Sequence, residues 1–273
     1  MIKLYFSLIA FILSIIGLYF YETNWRTTEH HEIIHDLLIG FPFATGGFIL
    51  NFISENRGAL LLALKCHFKK NDEIYVSLSY LFKIKIKGDN KYLMVKSNKI
   101  TNQYQPVGGV YKRFPSITDK WRKWGAKETS NDRCNSDDLR FKVKRKFIPE
   151  IRKWFYKKEN REVDVWREFC EELLSTGILP KNIFEHIKPE FLYSIEESLI
   201  FRKGQEIKQF LIYDVFTINF SSEQEQAVID LLEQAEITDK YAFVEESDLD
   251  KELFNINKIE YQLGYHARYL KPH

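Results

Sequence analysis

A chain of 273 residues has room for one sizeable globular domain and an appendage. Lysine plus arginine (40) nearly balances aspartate plus glutamate (38), so no molecule-wide field marks a binder of nucleic acid polymers, and any anion site must be local. Cys66, Cys134 and Cys170 are odd in number, far apart and without C-x-x-C spacing, which argues against a disulfide framework or zinc site and for thiols in a reducing compartment.

The first predicted element is an uncharged run of Leu, Ile, Phe, Tyr and Ala at residues 4–21. As a helix it extends roughly 27 Å, about the hydrocarbon thickness of a bilayer. A signal peptide is the competing reading, but the run is long for one and ends in Tyr21-Glu22 rather than a small-residue cleavage site, so an uncleaved anchor is expected. A second uncharged run at 37–54 contains Gly40, Pro42, Gly46 and Gly47. Such residues are tolerated in packed membrane helices, with a re-entrant or core segment as the alternative. Together the runs predict a two-helix transmembrane hairpin over residues 1–57, followed by a cytosolic domain over 58–273. Between the spans lie Glu22, Glu29, Glu32 and Asp36 against Arg26, whereas Lys3 precedes the first span and Arg57, Lys65, Lys69 and Lys70 follow the second. Because Lys and Arg are retained inside, both termini are expected in the cytoplasm of a multi-pass inner-membrane protein. The connecting loop also offers His30, His31 and His35, the last two at metal-sharing spacing without an obvious third ligand; a solvated loop with Trp25 at the interface explains them equally.

Residues 73–86 alternate and are rich in β-branched and aromatic side chains, as a half-buried strand requires. A turn at Gly88-Asp89-Asn90 leads to a second strand at 91–96, expected to pair with the first as an antiparallel hairpin. Gln105-Pro106-Val107 then runs into the pair Gly108-Gly109. An insertion at about 110–158 begins with the turn formers Asn131, Asp132, Asn135, Asp137 and Asp138 and ends in a basic stretch interleaved with Phe141, Phe147, Trp154, Phe155 and Tyr156. Cations beside aromatic faces suit phosphates and bases, which makes Arg145, Lys146, Arg152 and Lys153 candidate nucleotide-binding residues. A solvated helix face over core aromatics explains the same residues as well.

A helix is predicted over 159–176, with Val163, Trp166, Phe169, Cys170, Leu173 and Leu174 as its apolar stripe and Gly177 as its stop. Strands follow at 190–202 and 207–220, joined through Lys203-Gly204-Gln205. Ser221 and Ser222 cap a helix to about Ala235 with Glu223 and Glu225 in its first turn, and a strand at 240–245 precedes a terminal segment. This order predicts an α+β fold, helices packing on a mixed sheet.

The chemistry-bearing stretch is Arg167-Glu168-Phe169-Cys170-Glu171-Glu172 with Glu159 eight positions earlier. Helical spacing sets Glu168, Glu171 and Glu172 on one face, where mutual repulsion calls for basic partners or a hard divalent cation such as Mg²⁺ or Mn²⁺. Such an ion would polarise a diphosphate and activate water, while an ordinary acidic helix face is the bland alternative.

These residues resemble the helical core of a Nudix box, and Gly108-Gly109 resembles the glycine pair that opens it. The resemblance implies a Nudix-like mixed sheet flanked by helices, with Glu168, Glu171 and Glu172 as metal ligands, Glu171 and Glu172 as the catalytic pair of any hydrolase, and Arg167 bracing the loop-helix-loop. The chain departs from the pattern twice. The family has five residues between the second glycine and the first glutamate, where about fifty separate Gly109 from Glu159, and its closing glycine follows the glutamate pair sooner than Gly177 does. With two predicted spans, the architecture resembles the membrane-linked, SMODS-associated Nudix proteins of bacterial cyclic-oligonucleotide antiphage systems. That resemblance implies an effector that binds a cyclic nucleotide made by a partner synthase, oligomerises and disrupts the lipid membrane, needing no cofactor for sensing. A membrane-anchored, Mg²⁺-dependent hydrolase of nucleoside diphosphate derivatives is the alternative.

Overall fold

The computed structural model describes residues 2–24, 31–98, 100–129, 137–202 and 206–271, which divide into two compact units, Met1–Phe68 and Lys69–His273. Trp25, His30, Asn131, Asp132, Cys134, Asn135 and the link Lys203-Gly204-Gln205 lie outside the described residues.

The first unit is helical: α1 (Ile2–Asn24), α2 (His31–Glu55) and α3 (Arg57–Phe68). Gly46 of α2 faces the Phe11 ring of α1, and a Cβ there would stand 3.4 Å from it, so a small residue sets the approach of the two helices. Hydroxyls inside these apolar helices are satisfied by their own backbone: Ser14 donates to the Phe11 carbonyl at 2.7 Å and Thr45 to that of Phe41 at 2.9 Å. Phe6, Leu13, Ile16, Tyr19 and Phe20 are exposed, an apolar surface that water does not stabilise. Among the described residues one helical stretch, Phe6–Asn24, is long and apolar enough to cross a membrane. The second span expected at 37–54 lies within the helix α2, but a two-helix transmembrane hairpin is not shown. His35 meets the Glu22 carboxylate at 3.1 Å, a partner that accounts for it without a metal.

The second unit is α+β. In chain order it contains β1 (Glu73–Lys83), β2 (Lys91–Lys96), β3 (Gln103–Pro106), β4 (Gly108–Val110), α4 (Thr118–Trp124), β5 (Lys127–Glu128), β6 (Arg140–Lys144) and α5 (Ile148–Tyr156). There follow α6 (Trp166–Phe169), β7 (Pro189–Ile200), β8 (Gln209–Ile218), α7 (Ser222–Gln234), β9 (Tyr241–Glu245), β10 (Leu253–Ile256) and β11 (Ile259–Leu263). One mixed sheet runs β5-β6-β1-β8-β7, with β4 also on β1; the other runs β10-β11-β3-β2-β9.

The central strand β1 is buried on both faces rather than half-buried. Val76, Leu78, Tyr80 and Phe82 point to the layer of helices, where Tyr80 packs on Tyr111 at 4.8 Å and Phe82 on Phe169 at 5.7 Å. Tyr75, Ser77, Ser79 and Leu81 point the other way, as do Gln209, Leu211, Tyr213 and Val215 of the parallel neighbour β8. Leu81, Leu211 and Val215 pack there with Tyr92, Met94, Ala242 and Phe254 of the second sheet, so a core lies between the sheets. The expected hairpin of β1 with β2 forms only beside its turn: Ile86 N–H donates to the Lys91 carbonyl at 3.0 Å and Leu93 N–H to that of Ile84 at 2.9 Å. Beyond that corner the two strands part into different sheets.

Candidate functional site

The site is built around two glycines. Gly108 has φ +149, and a Cβ on it would run into the Tyr80 carbonyl; a Cβ on Gly109 would overlap the Glu168 carboxylate. Their bareness lets β4 lie against β1, with Gly109 opposite Tyr80 and Gly108 opposite Leu81, and lets the acidic helix close down on the strand. Gly108 N–H then donates to Glu172 Oε2 at 2.9 Å.

Arg167 ties the surrounding loops together. Its Nε donates to Glu162 Oε1 at 3.0 Å, its Nη2 to Glu162 Oε2 at 3.2 Å and to the Val110 carbonyl at 2.9 Å, and its Nη1 to Glu168. Glu162 in turn accepts from the Lys112 N–H at 3.1 Å. The glutamate that meets the box arginine is therefore Glu162; Glu159 lies on the surface, 3.8 Å from Lys157. Spacing alone pointed to the wrong glutamate because the insertion obscured where the box resumes. Its base is zipped: Phe114 N–H donates to the Asn160 carbonyl at 3.1 Å and Glu162 N–H to that of Lys112 at 2.8 Å. With 114–160 set aside as an excursion, Val110, Tyr111, Lys112, Arg113 and Arg161 stand between Gly109 and Glu162, the five residues of the family spacing.

The helix itself is shorter than its apolar stripe suggests. It begins at Trp166, whose N–H donates to Asp164 Oδ1 at 2.9 Å, so Val163 of the expected stripe is exposed. From Cys170 to Leu174 it widens into a π turn, with Ser175 N–H reaching the Cys170 carbonyl at 2.8 Å. The wider turn accommodates extra residues before Gly177, which ends the helix at φ +71.

Glu168, Glu171 and Glu172 line one cavity, as the helical spacing predicted. Burial raises the Glu168 pKa while Arg167 pulls it down. Burial likewise lowers Arg167, but its hydrogen bonds to Glu162 and the charge of Glu168 raise it well beyond the usual range. The three carboxylates are of the type Mg²⁺ or Mn²⁺ prefers. Glu168 is held by Arg167, Glu172 by the Gly108 amide, and Glu171 is 58% exposed. Among the described residues no three His, Cys, Asp or Glu side chains are gathered for metal binding.

The cavity, of about 650 Å³, is a cleft between the sheets. The carboxylates and Asp138 line it together with Arg140, Arg202, Tyr75, Tyr213 and His266. Arg202 Nη2 donates to Glu197 Oε2 at 2.8 Å and to the Tyr213 hydroxyl at 3.2 Å, and its guanidinium lies 4.4 Å from the Tyr265 ring centre. The His266 ring lies 6.1 Å from that of Tyr213 and within 4° of parallel to it. Burial, with Arg202 and Arg140 nearby, pushes the His266 pKa down to about 4.

The four cations expected to bind nucleotide do not line this cleft. Arg145 is buried, 3.7 Å from Asp72; Arg152 pairs with Glu196 at 2.5 Å over the Tyr156 ring; Lys146 and Lys153 are exposed. The interleaved aromatics Phe141, Trp154 and Phe155 are core, as the bland reading of that stretch held. Arg202 and His266 went unnoticed because each sits outside any motif, one at the end of β7 and the other in the final turn.

A glycine-opened, arginine-braced acidic helix on a mixed sheet defines a Nudix-type domain. Residues 73–271 match the family model of the SMODS-associated NUDIX domain, and the chain belongs to that family. No curated protein and no solved structure matched the chain.

Proposed function

We propose that this chain is an antiphage effector whose Nudix-type domain senses a cyclic nucleotide second messenger without consuming it. Family membership links the chain to a cyclic-nucleotide synthase system of bacterial defence. The lining of the cleft carries this reading: its cations and aromatics suit phosphates and bases, while Glu168 and Glu172 accept from Arg167 and the Gly108 amide. The synthase product binds between the sheets, with Arg140 and Arg202 toward its phosphates and Tyr213 and His266 toward a base. Binding favours an assembled state of the protein, and only a difference in affinity between states drives that shift. The apolar surface of α1 supports action at the inner membrane, where oligomerisation disrupts the bilayer and aborts infection.

The test incubates full-length protein and Mg²⁺ with a panel of cyclic di- and trinucleotides, following thermal midpoint and ligand concentration together. A raised midpoint with undiminished ligand is expected. Mg²⁺-dependent loss of ligand, abolished by Glu171→Gln or Glu172→Gln, would establish the second reading, a membrane-anchored Nudix hydrolase. That reading draws on the three carboxylates sharing the cleft.

A further inference from the structure

Basic residues are concentrated in one part of the chain. Residues 112–161 hold 17 Lys and Arg against 7 Asp and Glu, in a chain whose net charge is only +2. The hydrogen bonds of the second unit bring part of that excess to the place where the chain enters it. Lys146 N–H donates to the Lys70 carbonyl at 3.1 Å and Arg145 N–H to that of Asp72 at 2.8 Å. Lys144 stands opposite Glu73 in the β6–β1 ladder, and Lys127 reaches the Glu73 carboxylate at 3.3 Å. Lys69, Lys70, Lys127, Lys144 and Lys146 are all exposed there, and Asp72 and Glu73 are the carboxylates set among them.

We infer that this cluster is a docking surface for the anionic headgroups of a lipid bilayer. The inference rests on the membrane-anchor reading given above and adds to it a second, electrostatic attachment by the folded unit. Several exposed lysines at the point where the chain enters the folded unit, directly after the segment that joins it to an apolar helix, are the composition that a negatively charged leaflet attracts. The attraction decays within a Debye length, so it acts only if these lysines lie at the headgroups and it weakens in salt. A lysine held in that layer is shielded from reagents in bulk solvent.

The test places the full chain in vesicles of phosphatidylcholine alone and of phosphatidylcholine mixed with phosphatidylglycerol. Flotation reports anchoring, and brief amine labelling read by peptide mass spectrometry reports each lysine. Flotation with both vesicles is expected, with Lys70, Lys144 and Lys146 labelled several-fold more slowly on the anionic vesicles, Lys251 labelled equally on both, and the difference erased by high salt. The charge reversal K144E/K146E removes the difference at Lys70. Equal labelling on both vesicles, with flotation intact, overturns the docking surface and leaves the anchor standing. Failure to float with either overturns both. Protection by duplex DNA on neutral vesicles, without protection by anionic lipid, assigns the cluster to nucleic acid and also overturns the proposal.

Discussion

Gly109 and Glu168 share a space that admits only one of them and a hydrogen atom, because a Cβ at position 109 falls within the carboxylate. Gly109→Ala must therefore displace Glu168 from Arg167 or lift α6 from β4. Overpacking of this kind costs about 1–3 kcal/mol, and a lowered thermal midpoint of the full-length protein is expected. The paired glycines were legible in the sequence, but their reason was not: the clash partner lies 59 positions away. His266 supplies a second test. Its folded pKa of about 4 lies below the ordinary histidine value, so between about pH 6.5 and 4 the unfolded chain binds a proton that the folded chain does not. Stability therefore falls as pH drops through that window, by about 3 kcal/mol, whereas above it His266 is neutral in both states. Midpoints measured across this range for wild type and His266→Gln should differ in slope, with the variant flatter; identical slopes would remove His266 as the cause.

Elements whose signals are local read correctly from sequence. Ser221 accepts from Gln224 N–H at 3.3 Å while the Gln224 side chain accepts from Ser221 N–H at 3.1 Å, so the cap expected before α7 is a full capping box. Ser221→Ala should cost about 1 kcal/mol, read as a lowered midpoint. The strands expected at 190–202, 207–220 and 240–245 also stand close to β7, β8 and β9. Elements whose limits depend on distant partners read poorly. The predicted helix over 159–176 lost its first turns to the bridge between Arg113 and Arg161, which holds that stretch extended at the base of the insertion. β6 lies inside the expected insertion, in its basic stretch, because its hydrogen bonds belong to β1, 65 residues earlier in the Val76–Phe141 pair and 71 in the Glu73–Lys144 pair, and no local periodicity announces them. β10 and β11 were hidden in the same way, being four and five residues long and recognisable only as a pair.

At the scale of the molecule, the acidic helix is legible in the sequence, but the cations and aromatics that line the same cleft are not. Charge density directed attention to Arg145, Lys146, Arg152 and Lys153, and density says nothing about which cations face a cavity. The fold selects Arg202, which enters from the end of β7 and is oriented by Glu197 and Tyr213. Replacing it with Gln removes a charge that the cleft presents to an anion and also frees Glu197, which then adds repulsion. A charged hydrogen bond contributes roughly 1.5–3 kcal/mol, so affinity for the activating cyclic nucleotide should fall about ten- to a hundredfold. Arg152→Gln removes the pair with Glu196 and the contact with the Tyr156 ring, neither of which lines the cleft, and should leave that affinity within about twofold if the sensing site lies between the sheets. Titration of both variants, each first shown to retain an unliganded midpoint near that of wild type, separates the two assignments. Weakened binding in Arg152→Gln with unchanged binding in Arg202→Gln would return the site to the basic insertion and leave the inter-sheet cleft without its ligand.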